Sequence, residues 1–127
     1  MKNLILILMI VILATSLPAR DLAGASSIYK GTASWYSEAD PGILETTANM
    51  ERFDDSMLTC AMWDLPFNTV LKVTNLENRK CVFVRVNDRG PARRLVQQGR
   101  IIDLTKAAFL RLSDLENGLI RVSVEII

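Results

Sequence analysis

The stretch CVFVRVNDRGP, residues 81–91, constrains the fold more than any other part of the sequence. Its first six residues are rich in β-branched and aromatic side chains, which predicts the strongest strand of the chain. The pair Gly90-Pro91 then marks a turn. Asp88 therefore lies between a predicted buried strand and a rigid turn, which is a way to hold a carboxyl group in a fixed place. Asp88 is our first candidate for a catalytic residue, with a turn-stabilising carboxylate as the alternative.

Further strands are predicted on both sides of this stretch. Residues 70–75 (VLKVTN) alternate apolar and polar side chains, and residues 76–80 form a hairpin-type turn. We also predict strands over 29–36, 56–63 and 119–127, and a helix over 105–112. Asp103 or Thr105 could cap the start of that helix. Short strands with one short helix in so small a domain favour a closed barrel.

The N-terminal residues differ from the rest. Leu4 to Ala14 is an unbroken apolar run, shorter than the roughly 20 residues that span a bilayer. With Lys2 before it and small residues at 23–25, it fits a secretory signal. We therefore expect residues 1–25 to be a signal peptide and residues 26–127 to form one exported domain, in the periplasm or cell envelope. An uncleaved anchor is the alternative, and the absence of a lipobox cysteine argues against a lipid anchor.

Composition excludes several classes of site. Fifteen basic residues face fourteen acidic ones, and removal of residues 1–25 leaves thirteen of each, so nothing suggests a nucleic-acid partner. The chain has no histidine and two cysteines, which excludes a Ser-His-Asp triad, a Cys-His dyad and a four-thiolate zinc site. We expect no metal and no cofactor, and acid–base chemistry then falls to carboxylates.

The two cysteines leave two possibilities open. Export makes a disulfide between Cys60 and Cys81 possible. The alternative is two buried free thiols, because spacing alone cannot show that the sulfur atoms meet.

Candidate carboxylates lie in three segments of the sequence: three in residues 47–55, one in residues 87–91 and one in residues 100–104. Each has a simpler interpretation: the first three as solvated loop charges, Asp88 as a residue that only stabilises a turn, and Asp103 as a residue that only caps a helix. Trp35, Tyr36 and Trp63 could stack on sugar rings or pack in the core. Carboxylates with aromatic residues, and with no metal set or nucleophile–base pair, favour glycoside chemistry over acyl or phosphoryl transfer.

Six motifs occur in order: GTASWY (31–36), TAN (47–49) with Glu51 and Asp54, LPF (65–67), VTNL (73–76), VRVNDRGP (84–91) and GRIIDL (99–104). Together they resemble the rare-lipoprotein-A (RlpA-like) family over about residues 30–127. The resemblance implies a mainly β fold with one or two short helices. This fold is the six-stranded double-psi β-barrel, which expansins share. It also implies an envelope protein that acts on peptidoglycan glycan strands, in characterised members as a lytic transglycosylase.

The resemblance also implies roles for single residues. Such an enzyme cleaves the MurNAc–GlcNAc bond without water: a carboxylic acid protonates the leaving oxygen, then takes a proton from the C6 hydroxyl as a 1,6-anhydro ring closes. Asp88 is the expected acid/base. Glu51 and Asp54 are expected in the same groove, where their charge could raise the pKa of Asp88. The candidate substrate-binding residues are Asn49, Met62, Trp63, Arg89 and Arg100.

The chain departs from the family pattern at several positions. Met62 replaces a histidine counted among the groove's functional residues, and a thioether cannot shuttle a proton. Met50 and Asn68 stand where glycine is usual, and the segment 92–99 is longer than the common spacing. Two hypotheses therefore stay open: a transglycosylase, or a non-catalytic glycan-binding or wall-loosening module like expansins. For either we expect a monomer, with cell-division or envelope proteins as further candidate partners.

Overall fold

A computed structural model describes residues 27–127, so the expected signal peptide lies outside the described residues. The elements in chain order are β1 (Ile28–Tyr36), β2 (Thr59–Ala61), β3 (Val70–Asn75), β4 (Cys81–Asp88), α1 (Arg93–Gln97), β5 (Arg100–Thr105), α2 (Lys106–Leu110), a 3-10 helix (Leu115–Asn117) and β6 (Ile120–Ile126). Within this part of the chain, no helix has the length and apolar character needed to cross a membrane.

The six strands close into a barrel in the order β1-β5-β2-β4-β3-β6. Two of the pairs, β1 with β5 and β2 with β4, are parallel. The other four pairs are antiparallel. The expected closed, six-stranded, mainly β barrel with short helices is confirmed.

Alternation along the strands builds the core. In β3, Leu71 and Val73 are fully buried between more exposed neighbours, because successive side chains of a strand point to opposite faces. Val84 and Val86 of β4 line the same core. Phe109 of α2 is fully buried against them, so the one predicted helix is fixed by a large apolar side chain.

The predicted elements are confirmed to different degrees. The prediction for β3 is exact, and β4 continues two residues beyond the predicted end, as far as Asp88. β2 is much shorter than predicted. Thr105 caps α2 by accepting a hydrogen bond from the backbone N–H of Ala108 at 3.3 Å, whereas Asp103 lies inside β5. The strand β5 and the helix α1 were not predicted from the sequence pattern.

The possible disulfide does not form. Both cysteines are free, with Cys60 buried and Cys81 exposed. Cys60 pairs with Val86, five residues along β4 from Cys81, which is roughly 16 Å at the rise of an extended strand. A disulfide needs Cα atoms within about 7 Å. The alternative of two buried thiols is also wrong for Cys81.

Candidate active site

Asp88 is half-buried at the end of β4. Its Oδ1 accepts hydrogen bonds from the backbone N–H of Ala48 at 3.0 Å and from that of Arg89 at 2.9 Å. Its carbonyl oxygen accepts from the N–H of Met62, directly after the neighbouring strand β2, at 3.2 Å. Three chain segments therefore fix this residue, and both backbone donors reach the same oxygen, Oδ1.

Glu51 is held by a cation from the outer side of β4. Arg85 donates to both of its carboxylate oxygens, at 2.6 and 2.9 Å, and Asn87 donates to Oε2 at 3.2 Å. These hydrogen bonds lower the pKa of Glu51 to about 2, and the one from Arg85 has the largest effect. Glu51 is therefore a carboxylate at neutral pH and has no proton to give. Its contacts tie the loop before β2 to β4.

The loop that carries Glu51 is organised by its own polar groups. The backbone N–H of Thr47 donates to the carbonyl of Glu51 at 2.8 Å. The side-chain oxygen of Asn49 accepts from the N–H of Glu51 at 3.1 Å. Met50 has a φ of 72° at the tip, a conformation that favours glycine. Asn49 thus shapes the loop through its side chain.

Asp54 lies further along the same loop and is exposed. Its Oδ1 accepts from the hydroxyl and the backbone N–H of Ser56, which lowers its pKa. Glu38, Asp54 and Asp55 bring carboxylate oxygens within 4.8 Å of one another, but a cluster of largely exposed acids is common without a metal, and we assign none.

Two of the clefts that share Phe53 hold the predicted acids. Glu51, Asp54 and Arg85 line one of about 450 Å³. Asp88, Thr47 and Met50 line the other, of about 410 Å³. Both volumes fall in the range of about 300–1,000 Å³ typical of ligand sites. The structure therefore brings the three predicted acids to one side of the barrel, with Asp88 in a cleft next to that of the other two.

Met62 and Arg89 take positions that the sequence did not predict. The Met62 side chain, a candidate for substrate binding, is 5% exposed and belongs to the hydrophobic core, so it offers little surface to a substrate. Its carbonyl accepts from the Arg89 guanidinium at 2.9 Å. That guanidinium also lies 3.9 Å from the ring centroid of Phe67, so Arg89 is fixed from two sides.

Trp63 is half-buried beside the turn after β4. Its indole N–H donates to the carbonyl of Pro91 at 2.6 Å. The guanidinium of Arg93, from the long segment before β5, lies 4.1 Å from its ring centroid. The indole is therefore covered by a cation that the sequence did not single out.

Asp103 and Arg100 form a second polar group on β5. Arg100 Nε donates to Asp103 Oδ1 at 3.2 Å and to the Ser34 hydroxyl oxygen at 2.9 Å. The Ser34 hydroxyl in turn donates to Asp103. Strand pairing places Ser34 opposite Asp103, Asp103 opposite Ala61 and Ala61 opposite Asp88. Arg100 therefore neutralises an acid that lies two strands from Asp88, which only the barrel topology could reveal.

Known proteins match this chain over most of its described length. The family described as "Lytic transglycolase" matches residues 28–124. The endolytic peptidoglycan transglycosylase RlpA of Campylobacter jejuni is 44% identical over 97 residues, which are 76% of this chain and 33% of that protein. The RlpA of Pseudomonas aeruginosa strain UCBPP-PA14 is 46% identical over 95 residues, 75% of this chain and 26% of that protein. The chain thus spans about a third of the length of such relatives, or less.

Solved structures share the barrel. The Streptomyces papain inhibitor superposes with a TM-score of 0.62 at 20% identity, over 80% of this chain and 94% of that one. The apo form of the Clavibacter michiganensis expansin gives a TM-score of 0.60 at 20% identity, over 80% of this chain and 50% of that one. At such identities the likeness shows the fold alone, and it agrees with the expected double-psi β-barrel.

Proposed function

The chain belongs to the lytic transglycolase family, and on that premise we propose that it acts in the cell envelope on the glycan strands of peptidoglycan as a lytic transglycosylase. The relatives named above carry that activity in their names, and this chain corresponds to a part of each. The observation that carries the proposal is Asp88: a carboxyl group fixed by two backbone donors on Oδ1, in the wall of a cleft.

Asp88 would perform both proton transfers of the reaction. As a carboxylic acid it donates its proton to the glycosidic oxygen, and the bond from that oxygen to C1 of MurNAc breaks. As a carboxylate it then accepts the proton of the C6 hydroxyl while O6 bonds to C1. One carboxyl group suffices, because the second step returns the proton lost in the first.

Glu51 serves this chemistry in a fixed ionised state. With a pKa of about 2 it stays charged, so it is unsuited to be the acid. Through Asn87 and the loop that reaches Asp88 it holds the cleft in shape. Removal of Glu51 should therefore shift the loop, and any effect on proton transfer should follow from that shift.

The second candidate function is a binding module without catalysis. One observation favours it: the position of the family's histidine holds Met62, whose side chain is in the core. In that case the cleft would hold glycan strands and leave the bond intact. The two functions make different products, so one assay separates them.

The test is incubation of the purified protein with denuded and with peptide-bearing peptidoglycan, followed by mass spectrometry. A transglycosylase releases fragments that end in 1,6-anhydro-MurNAc, and Asp88→Asn should abolish them while it keeps an acceptor for both backbone donors. The matched control is Asp114→Asn, the same change at an exposed position without a side-chain capping bond. Absence of product from the unmodified protein, with binding to sacculi retained, would refute the enzyme and support the binding module.

A further inference from the structure

The hydroxyl of Tyr36 is buried, and no partner reaches it with the geometry of a full hydrogen bond. Among the described residues, it and Asn87 Oδ1 are the buried side-chain polar atoms that lack a partner. An orphaned buried hydroxyl costs free energy on the order of 1–3 kcal/mol. The ring is held by stacking on Phe53, with centroids 4.8 Å apart and an interplanar angle of 16°. A buried hydroxyl that lowers stability and is nevertheless held rigidly indicates a functional role for Tyr36.

Acidic residues face this hydroxyl from two strands. Burial and then the charges of Asp88 on β4, Cys60 on β2 and Asp103 on β5 raise the pKa of Tyr36 far above its usual value, and a weak hydrogen bond with the Asp88 side chain adds to the effect. The phenol is therefore protonated at any physiological pH, and toward a carboxylate it acts as a hydrogen-bond donor.

The two carboxylates differ in what they can accept. Asp103 Oδ1 already takes hydrogen bonds from Ser34 and Arg100, which also supplies a countercharge. Asp88 has backbone donors on Oδ1, and no described cation pairs with it. An added hydrogen-bond donor would therefore stabilise the carboxylate of Asp88 more than that of Asp103. Phe53 links the two sites, since it stacks on Tyr36 and lines the cleft of Asp88.

We propose that Tyr36 is a positioning residue of the reaction, whose hydroxyl donates a hydrogen bond to Oδ2 of Asp88 when glycan fills the cleft. This inference rests on the proposed function. The bond orients the carboxyl group while its proton leaves for the glycosidic oxygen, and it stabilises the carboxylate until the C6 proton returns. The phenol keeps its own proton throughout. Catalytic hydrogen bonds that are poorly aligned in the free protein commonly tighten in the complex.

The experiment compares Tyr36→Phe with Tyr29→Phe. Both remove one hydroxyl and keep the ring, and Tyr29 is 37% exposed at the start of β1. We expect Tyr36→Phe to lower kcat about 10- to 100-fold, the effect of one hydrogen bond to a charged group. KM and sacculus binding should stay within about twofold, and Tm should be unchanged or higher because an orphaned hydroxyl is gone. Tyr29→Phe should match the unmodified protein in all four.

Each outcome decides the matter. Unchanged kcat in Tyr36→Phe overturns the proposal, and so does a lower Tm, which would mean that the hydroxyl has a structural partner. If the unmodified protein makes no anhydro product, the proposed function fails by itself. The proposal is then tested with chitotetraose as probe, by ¹³C NMR of the Asp88 carboxyl group in the saturated complex. A titration midpoint that is higher in Tyr36→Phe supports the donor, and identical midpoints overturn it.

Discussion

Glu51→Gln tests whether the ion pair with Arg85 stabilises the site loop through charge. The substitution keeps the shape of the side chain and removes its charge. In the structure, Arg85 contacts both carboxylate oxygens at 2.6 and 2.9 Å. The contacts lower the pKa of Glu51 from 4.5 to about 2, so the folded state prefers the ionised form.

The sign and size of the effect follow from this difference in pKa. A depressed pKa adds stability that is fully present above pH 4.5 and is lost as the pH falls from 4.5 through 2. The full difference would correspond to roughly 3 kcal/mol. The side chains of Arg85 and Glu51 are 33% and 38% exposed, and solvent screens such a pair. We therefore expect Glu51→Gln to cost about 1–2 kcal/mol at pH 7.

Urea denaturation at several pH values between 7 and 2 is the assay. The difference in free energy of unfolding between the two proteins should shrink toward zero as the pH approaches 2. Glu77→Gln is the matched control, because Glu77 is exposed in the turn between β3 and β4 and its side chain has no described hydrogen bond or ion pair. A loss that is equal at pH 7 and at pH 2.5 would refute the reasoning, since it would then come from packing and not from charge.

Three further substitutions test the backbone and the core by thermal and urea denaturation. Met50→Gly should raise the free energy of unfolding by about 0.5–1 kcal/mol, because Met50 is exposed at a φ of 72°; a loss would show that its side chain has a role in the loop. Gly31→Ala should cost about 1–3 kcal/mol, since its Cβ would lie 2.5 Å from the carbonyl oxygen of Gly99, and an unchanged Tm would contradict that contact. Phe109→Ala should cost about 3–5 kcal/mol, because this side chain is fully buried; a loss under 1 kcal/mol would mean that the core refills the space.

The sequence predicts those strands whose formation depends on residues that are neighbours along the chain. The alternation in VLKVTN gives β3 its exact bounds, and the β-branched run after Cys81 gives β4. Asp88 could be expected at a strand end because the strand signal stops beside a turn signal. These predictions hold because the residues that decide them are neighbours in sequence.

The remaining features depend on partners far away in sequence. β5 reads RIIDLT, without clean alternation, and its strand state comes from pairing with β1 and β2. The Arg85 partner of Glu51 is 34 residues away. Asp103 accepts a hydrogen bond from Ser34, which is 69 residues away on the adjacent strand β1. A periodic pattern within a short stretch of sequence cannot show such pairs, and only the structure reveals them.

The missing histidine weighs less against catalysis once the structure is considered. The backbone of Met62, directly after β2, donates to the carbonyl of Asp88 and accepts from Arg89, so this backbone supports the candidate acid whatever side chain stands at position 62. A hydrolase needs a second group to activate water, but an attack by the substrate's own C6 hydroxyl removes that need. Under the proposed function, a fixed Asp88 with one donor from Tyr36 would then be enough for both proton transfers. A loss of the histidine side chain is therefore compatible with retained turnover, and the yield of anhydro product is the quantity that decides it.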